Sequence, residues 1–116
     1  MSTVRGASSA PKLTVPRSMA GDALLRTAIK MSKKLETAGI QAKVRIDPIG
    51  TNKNSRMIAI VTRNPLAAYK ALTGKDIQLE RDSGIDYNGG QDPKRFMTSI
   101  GRTEVYLLTP AEDKAR

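Results

Sequence analysis

Between Asp22 and Gly39 the apolar residues return every three or four positions. Leu24, Leu25, Ala28, Ile29, Met31, Leu35 and Ala38 fall on one broad arc at 100° per residue, the mark of a helix with one face on a core. Gly39 supplies the stop. Beyond it the period changes to two. Val44 and Ile46 alternate with Lys43, Arg45 and Asp47, as in a half-buried strand. Gly50 to Ser55 is a polar tip rich in turn formers, and Met57 to Val61 is an unbroken apolar run, the best-buried strand of the sheet. The two strands predict a β-hairpin with Lys43 and Arg45 facing solvent and Lys53 and Arg56 flanking the tip.

Asn64-Pro65 and Gly74 punctuate a second helix, with Leu66, Tyr69 and Leu72 as its apolar stripe. Ile77 and Leu79 then alternate with Asp76, Gln78 and Glu80, a strand pattern, and a turn-rich loop follows. Asp92-Pro93 repeats the cap-and-proline start and predicts a short helix through Phe96, Met97 and Ile100, stopped by Gly101. Thr103 to Thr109 is a last strand. The expected fold is α+β: a single domain, a mixed sheet of about four strands with a long N-terminal amphipathic helix and two shorter helices packed on it. The segments around Leu66 and Phe96 are expected to cross over between parallel strands. A wholly apolar Met57–Val61 strand calls for helices on both faces of the sheet or a subunit interface over one.

Charge changes the picture at both ends. Residues 1–17 contain Arg5, Lys12 and Arg17, no acid, and two prolines among small polar residues. They predict a flexible basic arm, with residues 18–109 as the domain and 110–116 as a charged tail. Residues 1–39 balance at +5, 40–75 at +6 and 76–116 at −2, which together give the net +9 of the 116-residue chain. On the first helix Arg26, Lys30, Lys33 and Lys34 share the arc opposite the apolar stripe with no acid among them. A solvated helix face ordinarily mixes signs, because like charges repel at three- and four-residue spacing. Unmatched cations on a polarised surface point to an anionic partner, with nucleic acid first.

Composition removes much chemistry. The chain has neither histidine nor cysteine, so Ser-His-Asp and cysteine nucleophiles are excluded, and there is no disulfide frame. Gly74-Lys75-Asp76 lacks both the upstream glycine and the hydroxyl of a phosphate loop. Asp82, Asp86 and Asp92 lack the glycine and glutamate spacing of a calcium loop. No enzyme activity, cofactor or metal is expected. Only four aromatics are present, and Tyr87 is the one candidate for base stacking, so contact along the phosphate backbone is favoured over stacking.

These residues give two function classes. The first is a small basic non-catalytic nucleic-acid-binding protein without strong sequence specificity, for DNA or RNA. Its candidate contacts are Arg26, Lys30, Lys33, Lys34, Lys43, Arg45, Lys53 and Arg56, with Arg5, Lys12 and Arg17 on the arm. The second is an assembly or interaction protein, as in a virion or other multi-copy particle, whose arm and helix dock on other subunits or on an acidic protein. A homo-oligomer, no membrane span, and a reducing cytoplasm or a nucleic-acid-containing particle as location fit either class.

Overall fold

Two hairpins laid side by side make the sheet on which everything else packs. A computed structural model describes residues 12–14, 23–49, 52–84, 87 and 92–115. In chain order these form β1 (Lys12–Thr14), α1 (Ala23–Thr37), β2 (Ala42–Ile49), β3 (Asn52–Thr62), α2 (Pro65–Thr73), α3 (Leu79–Asp82), β4 (Arg95–Ile100), β5 (Thr103–Leu108) and α4 (Pro110–Lys114). The sheet runs β1-β2-β3-β5-β4. β2 and β3 pair antiparallel, as do β4 and β5; β3 meets β5 in parallel, and β1 lies parallel to β2. The fold is a mixed-sheet α+β domain.

Local chemistry sets the ends of the helices. α1 closes with Gly39 at φ +76, and the Ile40 N–H reaches back to the Leu35 carbonyl at 2.9 Å. At the start of α2 the Asn64 side chain accepts from the Ala67 N–H at 3.1 Å, and Gly74 at φ +80 ends the helix. Both helices cover one face of the sheet. There Ala28, Met31 and Leu35 meet Val44, Ile46, Ile58, Ile60, Ala68, Leu72, Val105 and Leu107, with Tyr69 and Phe96 edge-to-face at 6.5 Å. Ile29, expected on the core arc, is instead exposed, since the buried stripe of α1 is narrower and takes Ser32 in its place.

The reverse face carries a second cluster of Met57, Val61, Tyr106 and Leu108, and α4 packs against β3 on that side. Thr109 caps α4 by accepting from the Glu112 N–H. Strand alternation puts Met57, Ala59 and Val61 on this face and Ile58 and Ile60 on the other, so helical cover on both sides accounts for the apolar run.

Four expectations change. Asp76–Glu80 is not a strand: Leu79–Asp82 winds into a single turn, with the Asp82 carboxylate accepting from the Gln78 N–H at 3.0 Å. That local bond offers the backbone an alternative to a ladder. Phe96–Ile100 is a strand, not a helix. Its period is two, with Phe96 and Thr98 buried between half-buried Arg95 and Met97, and the β-branched Thr98 and Ile100 suit it. The parallel partner of β3 is consequently β5, reached through α2, α3 and β4, and no crossover is built around Phe96. At the termini, Lys12–Thr14 pairs with β2 in register Lys12 to Lys43, and Pro110–Lys114 is helical. The rest of the expected arm lies outside the described residues.

Candidate functional site

α1 lies with Ala28 and Leu35 against the sheet, so positions about half a turn away face solvent. Arg26, Lys30 and Lys33 are exposed there. Among the described residues neither Lys30 nor Lys33 has a carboxylate partner. Lys34 is turned towards α2, and its Nζ donates to the Leu72 carbonyl at 3.2 Å. That carbonyl belongs to the last turn of α2, where carbonyls lack helical donors, so Lys34 acts as a cap between two helices.

The same flank of α1 borders an open groove of about 760 Å³. Its apolar floor and far wall come from Met31, Ala71, Leu72 and Ile100, while Lys30, Lys33 and Lys34 stand along the α1 side. Gly101, which also lines it, precedes the exposed Arg102 in the two-residue turn joining β4 to β5. Arg102 was not among the sequence candidates. Its signal was the Gly-Arg pair between Ile100 and Thr103, which a helix reading of 93–100 concealed.

Two of the hairpin cations, Lys43 and Arg45, belong to the opposite face of the sheet. Lys43 and Arg45 stand in register with Val61 and Ala59 on the reverse face. Lys43 is exposed, but Arg45 is not a free solvent-facing cation. Its guanidinium hydrogen-bonds Asp113 of α4 and also Asp47 two residues along its own strand. The hydrogen bond to Asp113 is the largest influence and raises the Arg45 pKa further above its already high ordinary value; burial opposes it, and the bond to Asp47 adds to the rise. Arg45 therefore pins α4 to the sheet. Arg95 does the same through Glu112 at 2.6 Å. Arg56 is half-buried and engaged. The side chains of Lys12 and Lys53, and the whole of Arg5 and Arg17, lie outside what is described. Among the described candidates, the sheet thus separates the α1 group from Lys43 and Arg45, while Arg56, in register with Pro48, falls by strand alternation on the same face as Ile58 and Ile60.

Tyr87, the candidate stacker, packs against the first core and serves as a loop anchor. No described helix is long and apolar enough to cross a membrane. Compared with known proteins, the chain matches no family, no curated protein and no solved structure.

Proposed function

We propose that this chain is a non-catalytic nucleic-acid-binding protein that contacts the phosphate backbone, without strong sequence preference, through the outer face of α1. The observation that carries the reading is the exposed pair Lys30 and Lys33, for which no described carboxylate is a partner. Lys34 borders the same area, and the exposed Arg102 follows Gly101 in the turn that lines the groove. The net charge of +9 supplies a long-range field that draws a polyanion to this surface. The reducing cytoplasm, or a particle that holds nucleic acid, is the setting this reading suggests.

The test is fluorescence anisotropy with labelled DNA and RNA duplexes of unrelated sequence over a range of salt. Affinities should be alike across sequences. If three or four phosphates are contacted, log K against log salt should fall with a slope of about −3 to −4. A flat salt response removes the reading. A second reading, docking on an acidic protein in an assembly, is favoured by one feature that nucleic acid does not use, the apolar floor of the groove beside Lys34.

A further inference from the structure

We infer that the groove between α1 and α2 is a docking site for an acidic amphipathic helix of a partner protein. From Thr27 to Ala38 the α1 wall runs for about 16 Å, three turns at 1.5 Å per residue. A third helix laid between two others is a regular way to fill such a space, presenting an apolar stripe to the floor. Small side chains at Ala38, Ala71 and Gly101 leave room for its backbone to come close. Lys30 and Lys34, four residues apart, stand one turn above each other, at the spacing of carboxylates on one side of a helix.

Charge selects the occupant. A phosphate backbone has no apolar stripe to set on Met31, Ala71, Leu72 and Ile100. The N-terminal stretch of this chain has no acid before Asp22, so it does not complement the lysines. A second copy brings the same positive excess, and its α4 acids are already held by Arg45 and Arg95. A foreign acidic segment satisfies floor and wall together. The inference is independent of the nucleic-acid reading, although Lys30 and Lys33 border both surfaces.

The full chain should be titrated into a labelled designed peptide of about 18 residues, long enough to hold a helix, with a leucine stripe flanked by glutamates. Two comparisons are needed, a charge-swapped peptide with lysines for the glutamates and a labelled DNA duplex. The acidic peptide should bind saturably and the swapped peptide should not. Ala71→Gln puts a neutral amide on the apolar floor and should weaken the peptide about tenfold while leaving the duplex unchanged. Lys30→Gln should weaken both, and circular dichroism of each variant checks the fold. Absence of saturable peptide binding, equal binding of the swapped peptide, or indifference to Ala71→Gln would overturn the inference. Duplex binding in the same experiment stands or falls separately.

Discussion

Arg45 donates two hydrogen bonds to the carboxylate of Asp113, one of them at 3.0 Å, from a position 68 residues earlier in the chain. Both side chains are largely shielded, with 25% and 22% of their surface exposed, so the pair has the paired geometry that makes an arginine–carboxylate contact worth more than a surface bridge. Arg45→Ala is expected to cost about 1–3 kcal/mol, because Asp113 loses its partner while partly buried. A double-mutant cycle with Asp113→Ala, read by urea unfolding, should give a coupling of about 1 kcal/mol. Nucleic-acid affinity should not change, since neither residue lies on the α1 face.

Lys30→Glu together with Lys33→Glu reverses the charge at two exposed α1 positions away from Ala28 and Leu35. Lysine and glutamate have similar helix propensities, so stability should move by less than about 1 kcal/mol. Duplex affinity should collapse and the salt slope become shallower. Lys43→Glu, on the far side of the sheet, should alter neither. A parallel loss in both variants would mean that the bound molecule wraps around the domain.

Gly101 turns the chain between β4 and β5 at φ +66, and a Cβ added there would meet no atom within 4 Å. The cost of Gly101→Ala is therefore conformational alone, about 1 kcal/mol. A thermal melt should show it, with nucleic-acid binding intact once the protein is folded.

The Asp82 carboxyl is held below its ordinary value of 3.8, first by the Gln78 N–H and then by the Arg81 side chain. A carboxylate depressed by folding contributes stability above its unfolded value, and the contribution is lost as pH falls through the folded one. The stability difference between the wild type and Asp82→Ala should therefore be constant near neutrality and shrink below about pH 3.8. The variant keeps the Asp82 backbone carbonyl that accepts from the Thr98 hydroxyl at 2.7 Å but loses the carboxylate bond to the Gln78 N–H, so loosening of the Leu79–Asp82 turn should slacken the cover over the outer edge of β4. Hydrogen exchange at Met97–Ser99 would report it.

The elements read most easily from sequence were those whose signals agree. α1 combined a 3.6-residue stripe with a terminal glycine, α2 a cap, a proline and a glycine, and the β2–β3 hairpin a clear alternation followed by an apolar run. Misreading came where one strong local signal outweighed a weak period. Pro93 looked like the start of a helix, yet it is buried just ahead of β4. There the alternation of Phe96, Thr98 and Ile100 is masked by Met97 on the other face, which is itself half-buried against Tyr106 and its neighbours. At the candidate site, the α1 lysines were legible because their exposure follows from helix geometry. Arg45 was not, since its partner Asp113 is brought to it only by tertiary folding. The groove was equally hidden, because Ala71, Ile100 and Lys34 share no local pattern.

The parallel junction between β3 and β5 also sets an order of events for a chain leaving the unfolded state. Each hairpin can close early, across a short loop, but an isolated two-stranded hairpin is at best marginally stable in water. Ile58 must find Val105 across the whole span of α2, α3 and β4 before the two halves share a sheet. The entropy of closing that span is spent before Phe96, Val105 and Leu107 join the core, which makes this encounter the long-range step of the fold. The lysine-bearing helix rests on β2, α2, β1 and β3, all on the near side of that seam, so its docking does not wait for β5 to arrive.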